Sequence, residues 1–156
     1  NFIPTLPTKF GEFNKNLDEF YKNTWIISMS FTILFFLSAG MIIDVLFGPE
    51  FADSKKIIYI IGMTIFFNGI MVSDNGFLNF YGFRKIIFLK SLTSLLLNII
   101  LNFTLIPVYG IFGAALALLI SSFFVAYGGI LFENKLINHY KKLFFPFLKS
   151  DLLKLD

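Results

Sequence analysis

The sequence predicts an all-α membrane protein with four transmembrane helices, and three observations predict it. Residues 91–132 carry no formal charge, and the one strong break in that stretch is Pro107-Val108-Tyr109-Gly110. A helix crossing a hydrocarbon core needs roughly 20 apolar residues, so the stretch is about twice that length with a turn near its middle. Hydrophobic residues make up 56% of the chain and charged residues 15%, against about 45–50% and about 25% in soluble domains. Most of the basic residues fall outside the apolar runs, in the loops and flanks, where they act as topology signals.

Two more spans precede that hairpin. Residues 24–43 are charge-free, and apolar character continues past Asp44 to Phe47, where Gly48-Pro49 ends it. Residues 57–73 are also charge-free, and apolar character resumes after Asp74 as far as Phe83. The predicted helices are about 24–47, 57–81, 86–106 and 111–132. At 1.5 Å per residue each is roughly 30–37 Å long, which suits a bilayer crossed with some tilt. The segment 1–22 is polar and charged, unlike the apolar core of a secretory signal.

Eleven of the 13 Lys and Arg residues lie on one side of this arrangement. They are Lys9, Lys15 and Lys22 before the first helix, Arg84, Lys85 and Lys90 around the second turn, and Lys135, Lys141, Lys142, Lys149 and Lys154 in the tail. Only Lys55 and Lys56 lie on the other side. The positive-inside rule then puts both termini in the cytoplasm. The flank 1–23 is expected to be interfacial, because Phe10, Phe13, Leu17 and Phe20 recur at helical spacing among Glu12, Lys15, Asp18 and Glu19. The alternative for it is a solvated linker. The tail, 133–156, mixes Lys with Leu136, Ile137, Tyr140, Leu143, Phe144, Phe145 and Phe147, and is expected to lie on the cytoplasmic leaflet.

The spans contain more polar side chains than an inert anchor requires. In the second, Gly62, Gly69 and Gly76 repeat on one face, where they would admit a neighbouring helix closely. Thr64, Asn68, Asn75 and Asn79 form another stripe, about 60° wide at 100° per residue. The third carries Lys90, Ser91, Ser94, Asn98 and Asn102 within about 120°. Amides in a span face a bundle interior or a polar cavity, so these stripes are read either as interhelical hydrogen bonds or as the wall of a substrate pathway. Lys90 either snorkels to the headgroups or receives an anion. Asp44 reads as interfacial. Asp74 lies deeper, as a candidate for ion or proton coupling or as the partner of a nearby Lys or Asn. In the fourth span, Gly113, Ala117 and Ser121 share one face and Ala115, Ser122, Ala126 and Gly129 another, so that helix should pack on two sides.

Several chemistries are excluded or unsupported. There are no cysteines, and the single His139 has no second imidazole with which to share a metal. No phosphate-cradling glycine loop, nucleophile elbow or close acid/base pair is present, so no cofactor, metal, nucleic acid or catalytic activity is expected.

The stretch Leu97-Asn98-Ile99-Ile100-Leu101-Asn102-Phe103-Thr104-Leu105-Ile106-Pro107-Val108-Tyr109-Gly110-Ile111-Phe112-Gly113-Ala114-Ala115-Leu116-Ala117 resembles the junction of the last two helices of the polysaccharide flippases. These are the O-antigen and lipid-linked oligosaccharide exporters of the multidrug/oligosaccharidyl-lipid/polysaccharide superfamily. Leu46-Phe47-Gly48-Pro49-Glu50-Phe51, followed by Ala52-Asp53-Ser54, is similar to an external loop of the same family. The resemblance covers nearly the whole chain. It implies a fragment of a twelve-helix, two-lobed transporter, consistent with the absence of an initiating Met, that moves a polyprenyl-pyrophosphate-linked oligosaccharide across the bacterial cytoplasmic membrane by alternating access. Expected partners are that substrate, membrane lipids, the remaining N-terminal helices and other polysaccharide-assembly proteins. On this reading Lys90 and Arg84 attract the pyrophosphate, Ser94, Asn98, Asn102, Asn68, Asn75 and Asn79 line the pathway, and Asp74 is the coupling candidate. The alternatives are a related exporter of a cell-wall lipid precursor or a drug, a scaffold subunit, and a membrane-embedded polysaccharide polymerase or transferase. The enzyme should add a large polar loop with clustered acids, His or Arg.

Overall fold

The computed structural model describes residues 10–48, 52–133 and 136–147, with the side chains of 10–18 among those left undescribed. It is all-helical: α1 (Phe10–Phe47), α2 (Ala52–Phe80), α3 (Arg84–Tyr109) and α4 (Ile111–Tyr127) are followed by a 3-10 turn (Gly128–Leu131) and the short α5 (Ile137–Phe144). Four stretches are long and apolar enough to cross a membrane: Glu19–Val45, Lys55–Phe80, Arg84–Tyr109 and Ile111–Leu131. Their outer surfaces carry large apolar side chains, including Leu37, Met41, Phe88, Ile100 and Phe103. A soluble protein avoids exposing so large a contiguous apolar surface, and the chain is a multi-pass membrane protein.

The expected spans are present with shifted ends. The polar flank before the first span is continuous with it in one helix of 38 residues, about 57 Å at 1.5 Å per residue. The aromatic stripe expected at Phe10, Phe13 and Leu17 lies outside the described side chains, as do Pro49, Glu50 and Phe51 of the family-like loop and Lys9, Lys135, Lys149 and Lys154. The third helix runs past Ile106 and takes Pro107 into its last turn, where the ring removes the N–H that would donate to Phe103 O. Gly110, at φ 57°, ends it and starts α4 directly. An L side chain would be strained there. The α2–α3 turn is a Schellman arrangement: Gly82 has φ 78°, its N–H donates to Asn79 O at 3.1 Å, and Phe83 N–H donates to Leu78 O at 2.7 Å.

In space the helices lie in the order α1, α2, α4, α3. Small residues set this order. A Cβ at Gly62 would meet the Phe35 and Phe36 rings at 2.6–2.7 Å, and one at Gly69 would run into Ser28. These two glycines are points of close approach between α1 and α2. Gly76, the third of the series, has nothing near it, so the repeat serves packing at only two of its three positions. Gly113 lies against the Leu105 carbonyl of α3, and Ala115, Ala117, Ser121, Ser122 and Ala126 are all buried. Helix α4 is packed on both faces, as its small residues predict.

The glycine series yields a direct comparison. Gly69→Ala should lower the unfolding free energy by about 1–3 kcal/mol, the usual overpacking cost. Gly76→Ala should leave it unchanged or raise it by up to about 1 kcal/mol through helix propensity. Thermal unfolding of both variants in one detergent checks the contrast.

Candidate functional site: a buried carboxylate at the α2–α3 end of the bundle

The polar centre of the molecule lies at the end where α2 turns into α3. Asp74 is six residues before the end of α2, and Lys90 six residues after the start of α3, so each lies about 9 Å inside its helix end. Both side chains are fully buried and form an ion pair. Lys90 donates to Asp74 Oδ2, and Tyr140 on α5 donates to the same oxygen at 3.2 Å. The other oxygen, Oδ1, is 2.6 Å from His139 Nε2. An ionised carboxylate only accepts, so Nε2 carries the hydrogen of that bond. His139 Nδ1 is 2.7 Å from the Tyr21 hydroxyl of α1.

One carboxylate thus connects α2, α3 and α5 directly, and α1 through His139. The surroundings hold it in place. The Phe77 ring stacks on His139 at 3.8 Å and 12°. Trp25 of α1 donates its indole N–H to Leu143 O at 2.9 Å, and Tyr127 of α4 stacks on Phe144 at 4.0 Å. Gly129 in the 3-10 turn has no side chain, and the Tyr140 hydroxyl occupies the place where a Cβ would stand. Burial, with the Asp74 charge added to it, holds the Tyr140 phenol well above the ordinary tyrosine range. It therefore stays a donor.

The other predicted pathway residues fall into two groups. On α3, Ser94 donates to Ser121 O at 2.8 Å, Asn98 Nδ2 to Ser121 Oγ at 2.9 Å, and Asn102 Nδ2 to Asn98 Oδ1 at 3.0 Å. This ladder joins α3 to α4, which is the interhelical reading of that stripe. On α2, Asn68 and Asn79 are exposed, and Asn75 is half-buried with its Oδ1 inside and without a hydrogen-bond partner. Arg84 is exposed at the start of α3. Lys90 turns inward to Asp74 instead of reaching for headgroups. Asp44 pairs with Lys55 at 2.6 Å at the opposite end, with both side chains part-exposed. Such a pair contributes about 0–1 kcal/mol.

His139, Tyr140 and Tyr21 are the members that sequence reasoning missed. A lone imidazole suggests no metal site, and the lysines of the tail point to the leaflet. The available signal was Leu136, Tyr140 and Leu143 at i, i+4, i+7 with His139 between, a buried-helix pattern inside a basic tail. All four are buried. Among the described residues, no three His, Asp or Glu side chains are grouped as a metal site would need.

Compared with protein-family models, curated proteins and solved structures, the chain matches none.

Removing one member of a buried pair strands the other. Asp74→Ala should cost about 3–5 kcal/mol, because Lys90 is left charged and unpaired. Adding Lys90→Met to Asp74→Ala should recover a large part of that loss. A double-mutant cycle on detergent-solubilised protein measures the coupling.

Proposed function

We propose that the chain is part of a polysaccharide flippase of the multidrug/oligosaccharidyl-lipid/polysaccharide superfamily, a transporter that moves a polyprenyl-pyrophosphate-linked oligosaccharide across the bacterial cytoplasmic membrane. The basic loops lie in the cytoplasm on this reading, so the Asp74 site is at the cytoplasmic end. The observation that carries it is the amide face of α2. In a helix apolar enough to span a bilayer, Asn68 and Asn79 are exposed and Asn75 Oδ1 is unpaired.

A bare amide in hydrocarbon costs roughly 2–7 kcal/mol, so such a face is retained where something polar passes or docks. An oligosaccharide presents the same problem, since each hydroxyl leaving water needs a new partner. Amides donate and accept, and replace that water without committing to one sugar. The sequence from Leu97 to Ala117 supports the choice of family. The twelve-helix, two-lobed context supplies the opposite wall of the pathway and the rocking motion that exposes it to either side. Arg84, exposed at the start of α3, is placed to meet a pyrophosphate first, and Asp74, with its shared proton donors, is the coupling candidate.

The test uses the full-length transporter in vesicles. Asn68→Leu together with Asn79→Leu should leave expression and unfolding temperature unchanged, because neither side chain supports the bundle. Movement of lipid-linked oligosaccharide should fall by about tenfold or more, as expected when two or more hydrogen bonds are lost from a desolvated path. Undiminished translocation by that variant would overturn the reading.

A further inference from the structure

Helix α5 caps the Asp74–Lys90 pair at the α2–α3 end of the bundle, with His139 and Tyr140 on the Asp74 carboxylate. Helix α5 has eight residues, fewer than an isolated helix needs to be stable in water. It therefore folds only because it is docked. Its contacts are identifiable: His139 and Tyr140 on the Asp74 carboxylate, His139 also on the Tyr21 hydroxyl and the Phe77 ring, Leu143 O under the Trp25 indole, Phe144 against Tyr127, and the buried apolar side chains of Leu136 and Leu143. Its opposite face, with Ile137 and Asn138, is exposed. The 3-10 turn ending at Leu131 precedes it, so α5 is joined to α4 by a short connection rather than by a continuous helix.

We propose that α5 is a lid: it undocks as a unit while α1–α4 stay packed, and its undocking opens the Asp74–Lys90 pair to the solution at that end. Two facts support a local opening. Two of the side-chain hydrogen bonds of α5 end on one carboxylate, so losing the Asp74 contacts loosens His139 and Tyr140 together. The pair itself has no other need of α5, since Lys90 and Asp74 come from helices joined by the tight Gly82 turn and remain paired when α5 leaves. A short element that is not stable alone and is joined to the bundle by a non-helical connection can open below the global unfolding free energy. An opened lid presents an ammonium and a carboxylate about 9 Å inside the bundle, a site for a small charged or zwitterionic group. With α5 docked, both are fully buried.

Amine-reactive labelling of the folded chain in detergent, read by mass spectrometry, tests the lid. Lys85 is exposed beside the same turn and serves as the internal reference. In the wild type, Lys90 should label far more slowly than Lys85. In His139→Ala/Tyr140→Phe it should label about tenfold faster or more, with Lys85 unchanged, because the variant removes the side-chain hydrogen bonds that α5 makes to Asp74 and Tyr21. Lys90 labelling as fast as Lys85 in the wild type would overturn the proposal. So would continued protection of Lys90 in the variant while α5 amides exchange freely. If the variant does not fold, the wild type decides in a denaturant series. Lys90 labelling should rise together with α5 amide exchange and before that of α3 and α4. Labelling that rises only with α3 and α4 exchange contradicts the lid.

Discussion

The arrangement of this bundle depends on a single carboxylate with no access to water. An isolated carboxylate in a low-dielectric interior is prohibitively costly, and its neighbours must supply what water would. Asp74 obtains an ammonium from α3, a phenol and an imidazole from α5, and through the imidazole a second phenol from α1. Each donor fixes the helix that carries it. Transmembrane helices have little hydrophobic reason to prefer one neighbour over another, so a buried charge that needs several donors at once supplies register.

The same logic explains the division of labour along the bundle. At the Asp74 end, specificity comes from charge and aromatic stacking, with Trp25, Phe77 and Tyr127 forming the seat for α5. Towards the other end it comes from close backbone approach at Gly62, Gly69 and Gly113 and from the Ser94, Asn98, Asn102 ladder onto Ser121. The two ends are complementary. Small residues bring α4 between α2 and α3, and that position in turn puts its C-terminal Tyr127, and Gly129 in the turn that follows, beside α5.

Much of the fold was legible because lipid imposes a strong pattern on sequence. Charge-free stretches of the right length located all four spans, and the spacing of Gly62, Gly69, Gly113 and Ala117 marked the contact faces correctly. Helix ends were less legible: Pro107 reads as a stop, yet α3 continues beyond it to Tyr109. The site was only half visible. Asp74 and Lys90 stood out singly as ionisable residues within spans, but they are sixteen positions apart on different helices, and nothing in their spacing says that they meet. His139 and Tyr140 were hidden by a basic tail whose lysines suggest a membrane surface, although its apolar residues follow the period of a buried helix. Three of the α2 and α3 amides that looked alike in sequence part company in the structure: Asn98 is tied into α4, whereas Asn68 and Asn79 face outward.

One Asp74 carboxylate is held by α3 and α5 at the same time. Bilayer-reconstituted protein with carbon-13 at the Asp side-chain carboxyls and nitrogen-15 at Lys and His, studied by solid-state magnetic resonance, addresses it directly. Through-space transfer from the Asp74 carboxyl should reach both Lys90 Nζ and His139 Nε2 in one folded population. Transfer to Lys90 alone, or to neither, would contradict the account.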